Sequence, residues 1–85
     1  MYDLISYVSR GKIRRKVILN LIKPHTPTEL CRIINTHRST TSRAIIALEK
    51  KGLLKCKTPN EKMGRYYEIT SLGKKVLQEI EAKIK

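Results

Sequence analysis

Tryptophan and phenylalanine are absent from the 85 residues, and four tyrosines are the whole aromatic content. A core must therefore be built from Leu, Ile and Val, and there are no large aromatic anchors for a membrane interface. No apolar run approaches the roughly 20 residues that a membrane-spanning helix needs. Asp3 lies near the start and no cleavable signal pattern follows, so a cytoplasmic protein is expected. Cysteine is scarce. Cys31 and Cys56 would stay reduced in that compartment, and each reads as a buried thiol, on the apolar side of a helix and in an alternating strand. No Cys-x-x-Cys or His-x-x-x-His spacing occurs, so His25 and His37 do not complete a metal site, and neither metal nor cofactor is expected. Acids are few and scattered. Without a nucleophile–base pairing or a glycine-rich phosphate loop, an enzyme is not expected.

What is abundant is positive charge. Lys and Arg number 19 against 7 Asp and Glu, a formal net charge of +12. Bases exceed acids in every quarter of the chain, so the folded surface itself is basic rather than one tail. Such a surface attracts polyanions, and double-stranded DNA is the leading partner. The length suits one domain, 1–85, of modest core, which a partner could stabilise further.

The central stretch runs from Thr26 to Gly52. Thr26-Pro27-Thr28-Glu29 is a capping box, with proline where its missing N–H costs nothing. The helix it starts carries Leu30, Cys31, Ile33 and Ile34 and stops near Asn35. A second helix follows the turn Asn35-Thr36-His37, with either His37 or Ser39 as its cap, and ends at Lys50-Lys51-Gly52. At about 100° per residue, Thr41, Ala44, Ile45 and Leu48 share one face. Ser39, Ser42, Arg43, Ile46 and Lys50 share the other. No acid precedes Glu49, so the outward face offers donors suited to base edges and phosphates.

Around this stretch the pattern gives a mainly α chain with one β-hairpin, an α+β fold. Asp3 to Val8 is a short helix bearing Leu4, Ile5 and Val8. Ser9 is expected to break it and cap a helix from Arg10 to about Ile22, with Ile13, Val17, Ile18, Leu21 and Ile22 as its stripe. Lys12, Arg14, Arg15 and Lys16 lie opposite, available to solvent or to phosphate. After Gly52 the period becomes two. Leu53–Lys57 and Arg65–Thr70 read as strands, with a tip that carries Lys62. Thr70 can cap a last helix, Ser71 to about Ile84, striped by Leu72, Val76, Leu77, Ile80 and Ile84.

Four segments in this order resemble the winged helix-turn-helix regulators of the MarR and ArsR type. They are Thr26-Pro27-Thr28-Glu29-Leu30, Arg38-Ser39-Thr40-Thr41-Ser42-Arg43-Ala44-Ile45, Leu48-Glu49-Lys50-Lys51-Gly52-Leu53, and Tyr67-Glu68-Ile69-Thr70 with Gly73. The resemblance implies a DNA-binding transcriptional regulator. A recognition helix at about 38–51 would enter the major groove through Arg38, Ser39, Thr40, Ser42 and Arg43. The wing, within 53–70, would set Lys62 and Arg65 on the backbone or in the minor groove. Many relatives have glycine and an apolar residue where this chain has Asn35-Thr36, and asparagine tolerates the left-handed conformation such a turn uses.

The terminal helices, 1–9 and 71–85, pose a packing question. Leu4, Ile5 and Val8 at one end and Ile80 and Ile84 at the other would meet water in a monomer. A two-fold homodimer would bury both sets. The competing arrangement folds the N-terminal segment onto the last helix within one chain. Two other functions fit the same fold, namely a protein-interaction module of a larger complex and a non-specific chromosome-associated DNA-binding protein.

Overall fold

The capping box at Thr26 forms as its residue types require. The backbone N–H of Glu29 donates to Thr26 Oγ1 at 3.2 Å, and the N–H of Thr26 donates to Glu29 Oε1 at 2.9 Å. It starts α3, Pro27–Ile33, in a computed structural model that describes residues 2–58, 60 and 65–84. The Glu29 carboxyl is held below its ordinary pKa, chiefly because its charged form accepts the Thr26 backbone hydrogen bond. The turn after α3 uses Asn35 in the left-handed region, at φ 52°, and the N–H of Thr36 donates back to the Cys31 carbonyl at 3.0 Å.

Helix α4, Arg38–Lys50, follows, with His37 rather than Ser39 in the cap position and no side-chain cap bond. Thr41, Ile45 and Leu48 are buried along its inner face. The Thr41 hydroxyl is satisfied by donating to the His37 carbonyl at 3.0 Å. Gly52, at φ 80°, takes the left-handed turn that ends this region, where a Cβ would be strained.

The N-terminal half divides differently from expectation. Helix α1, Tyr2–Arg10, runs through Ser9, and α2, Lys12–Asn20, starts after Gly11. Ser9 turns its hydroxyl back to the Ser6 carbonyl instead of capping. Gly11 makes the break in extended conformation, at φ −98° and ψ 109°. Helix α2 also ends before Ile22, which is half exposed. Leu21 leaves helical geometry, and its carbonyl accepts the Ile69 N–H at 2.9 Å, so the connection serves the hairpin instead of the helix.

The hairpin pairs β1, Leu54–Cys56, antiparallel with β2, Tyr67–Ile69, in the register Leu54↔Ile69, Lys55↔Glu68 and Cys56↔Tyr67. Both strands are shorter than their alternating patterns. Beyond them Lys57 N–H still bonds the Tyr66 carbonyl at 2.7 Å, and Tyr66 N–H bonds Thr58 Oγ1 at 3.0 Å. His25 adds a rung that its sequence does not announce, exchanging two backbone hydrogen bonds with Tyr67 at 3.2 and 2.9 Å.

Helix α5, Ser71–Ile84, closes the chain. The core is aliphatic. Val8, Val17, Ile18, Leu21, Leu30, Leu48, Leu53 and Val76 are fully buried, each worth about 1.5–3 kcal/mol relative to exposure. Of the two arrangements expected for the terminal helices, the chain adopts the one that folds the N-terminal segment onto the last helix. Helix α1 packs on α5 within one chain, leaving Ile5 and Ile80 each 5 % exposed and Val8 wholly buried. Leu4 is half-buried against the same core. The Ile84 side chain lies outside the described residues. The two thiols are half-buried instead of sealed, and Cys31 Sγ donates to the Thr28 carbonyl at 3.0 Å.

Candidate nucleic-acid interface

Helices α3 and α4, joined by the left-handed turn at Asn35, set one helix on the outside of the domain. The inner face of α4 is fixed by Thr41, Ile45 and Leu48, so its outer face is fixed too. Arg38, Ser39, Thr40 and Arg43 are exposed there, and Ser42 is half-buried at its edge. Ile46, 49 % exposed, gives the same surface an apolar point one turn beyond Ser42 and Arg43. The face thus combines two forked donors, three hydroxyls and a branched apolar group. These can bond guanine edges and phosphates and touch a thymine methyl.

The exit from α4 is tied to the start of α5. Thr70 Oγ1 donates to the Gly52 carbonyl at 2.7 Å and accepts the Gly73 N–H at 3.1 Å. Gly73 is held close: a Cβ there would lie 2.4 Å from the Leu53 carbonyl oxygen and 2.6 Å from Ile69 Cγ1. The outer helix, the hairpin and α5 therefore share one rigid corner.

Arg65 is exposed at the approach to β2, beside Tyr66, which is 41 % exposed. Lys62, the other wing residue expected on DNA, lies outside the described residues. The base of the wing carries an ion pair, Lys57 to Glu68 at 3.7 Å.

The basic side of α2 is divided in two, which the sequence does not reveal. Arg14 turns toward α4, Arg15 and Lys16 line a different groove, between α2 and α5, and Lys12 borders both. The first of these is a cleft of about 480 Å³ in which Arg10, Lys12 and Arg14 of the α1–α2 corner face Thr40 and Arg43 of α4. Arg14 is anchored: Nη1 donates to the Tyr7 carbonyl at 2.8 Å, and the guanidinium carbon lies 3.9 Å above the Tyr7 ring. Lys51 Nζ approaches the same ring at 5.2 Å, so Tyr7 joins α1, α2 and the end of α4. The available sequence signal was Gly11, the glycine between two bases that lets the chain turn a corner there.

Among the described residues no group of three or more metal-ligating side chains comes together, and no helix is long and apolar enough to cross a membrane.

No family model and no curated protein matches the sequence. Solved structures do. The fold is similar to the Multiple Antibiotic Resistance Repressor, MarR, with a TM-score of 0.78 and 21 % identity over 96 % of this chain and 64 % of that one. A MarR family transcriptional regulator from Silicibacter pomeroyi DSS gives a TM-score of 0.75 and 25 % identity over 98 % and 59 %. A protein of the thermoacidophilic archaeon Sulfolobus tokodaii gives 0.66 and 23 % over 98 % and 89 %. The chain spans about three fifths of the length of the MarR-type regulators it matches. Its fold is that of their winged helix-turn-helix, with five helices and a two-stranded wing among the described residues.

Proposed function

We propose that the protein is a DNA-binding transcriptional regulator. Its recognition helix is α4, and its wing, 57–65, lies along the backbone or in the minor groove. The observation that carries this reading is the outer face of α4, where Arg38, Ser39, Thr40 and Arg43 stand exposed without an acid beside them. The net charge of +12 supports it, because each phosphate neutralised releases counterions and adds affinity. So does the likeness to solved MarR-type regulators. An interaction module would fit an acidic or neutral outer face better. A non-specific packing protein would have no use for the mixed donors and apolar point at Ile46.

In this reading Arg43 reads a base, Ser39 and Ser42 assist it, and Arg38 and Thr40 hold the backbone beside them. Lys62 and Arg65 add affinity from the wing. Two copies would bind a palindromic site, with recognition helices about 34 Å apart. Their contact surface is moved from the α1–α5 seam to the groove between α2 and α5. Leu19, 49 % exposed, lies there with Leu77, and Lys12, Arg15 and Lys16 stand on one wall against Glu81 on the other. Across a two-fold axis the bases of one copy can face the acid of its partner.

The test is selection of bound duplexes from a random pool. A palindromic consensus is the expected product. Recovery of no preferred sequence, with binding retained, would favour the packing protein. Failure to retain any duplex would favour the interaction module.

A further inference from the structure

The cleft between the α1–α2 corner and α4 is lined by four cationic side chains, Arg10, Lys12, Arg14 and Arg43, and by no acid among the described residues. Cations gathered this way repel one another, a cost that an anion placed between them would remove. Arg14 is already ordered by the Tyr7 carbonyl and ring, so it gives up little conformational freedom on binding. Arg10 and Lys12 are exposed on either side of Gly11. The α1–α2 break at that glycine turns both bases toward the cleft, since both line it.

Geometry decides which anion fits. A helix with its side chains is about 10–12 Å across, and the major groove of B-DNA is about 12 Å wide. A helix seated there fills it, and a phosphate strand must run along each flank. One flank of α4 is Thr40 and Arg43, and this is the wall that faces Arg10, Lys12 and Arg14. We infer that this cleft is a backbone-phosphate seat, in which Arg10, Lys12 and Arg14 clamp the DNA strand bordering the groove that α4 enters. The inference rests on the DNA-binding reading above and deepens it. Affinity then comes from the α1–α2 corner as well as from α4 and the wing, and the seat fixes how far the recognition helix advances. Contacts to phosphate position a protein without reading sequence.

The measurement is affinity for one duplex across a range of salt, for the full chain and two double variants. Arg10→Gln with Lys12→Gln removes two charges from the cleft. Lys74→Gln with Lys75→Gln removes two charges from α5, at exposed residues that line neither groove, and serves as the control of equal net charge. All four side chains are exposed; circular dichroism verifies that both variants fold, and sedimentation verifies that both keep the wild-type assembly. The slope of log affinity against log salt should fall by roughly 1.8 per bound copy for the cleft variant, about 0.9 per phosphate contact, and stay near the wild-type value for the control. The rank order of duplex sequences should not change. An unchanged slope in the cleft variant, or an equal fall in both variants, would overturn the seat while leaving DNA binding intact. A wild type that binds no duplex would sink the DNA-binding reading and the seat with it.

Discussion

The hydroxyl of Thr70 donates to the carbonyl of Gly52 at 2.7 Å, joining the glycine that follows α4 to the residue that caps the last helix. The same oxygen accepts the Gly73 N–H, so one side chain serves two elements 18 residues apart in sequence. Thr70→Val keeps the shape and removes both bonds. Stability should fall by about 1–2 kcal/mol in urea unfolding, the worth of a cap and one further hydrogen bond. Thr70→Ser should retain most of it. Equal losses in the two variants would mean that the methyl group, not the hydroxyl, matters.

Gly73 is needed for close approach and not for backbone freedom. A Cβ would meet the Leu53 carbonyl oxygen at 2.4 Å, and that atom is backbone that cannot step aside cheaply. Gly73→Ala should therefore destabilise by about 1–3 kcal/mol through overpacking, although alanine is the better helix former. A stabilised variant would show that α5 can slide away from the wing.

The capping box gives a pH signature. The folded pKa of Glu29 lies below its unfolded value, because the ionised carboxylate accepts the Thr26 N–H. Its contribution is then fully present above the unfolded carboxylate pKa and is lost as pH falls through the lowered folded value. The stability gap between wild type and Glu29→Gln should be steady near neutrality and close on acidification through that window. A gap that persists after Glu29 is protonated would show that the charge is irrelevant to the cap.

The local devices are legible in the sequence. The box at Thr26, the glycine exit at Gly52, the left-handed Asn35 and the inward set Thr41, Ile45 and Leu48 depend on neighbours within one turn, which a sequence displays. The long-range choices are not. Nothing near His25 marks it as a partner of Tyr67, and the stripe on α5 cannot say whether its cover comes from α1 or from another molecule. The division of the α2 bases depends likewise on where α4 and α5 lie. This changes what a substitution at Ile80 would report.

With Ile80 only 5 % exposed, Ile80→Asp buries a carboxylate in an aliphatic core and should cost several kcal/mol, unfolding the chain rather than dissociating it. Leu19→Glu, at an exposed site, should leave stability nearly unchanged and convert a sedimenting dimer to monomer at tens of micromolar. A wild type that already sediments as a monomer at that concentration, without DNA, would remove the proposed two-fold contact.

The recognition role proposed for α4 is tested most directly at Arg43. Wild type and Arg43→Ala are compared on a selected duplex and on its full set of single base-pair variants at one fixed salt concentration. The variant should bind the selected duplex more weakly and lose its preference at one base pair, by about 1–3 kcal/mol, while keeping the others. A uniform weakening across every duplex, with all preferences intact, would contradict base reading by Arg43 and move it to the phosphate contacts.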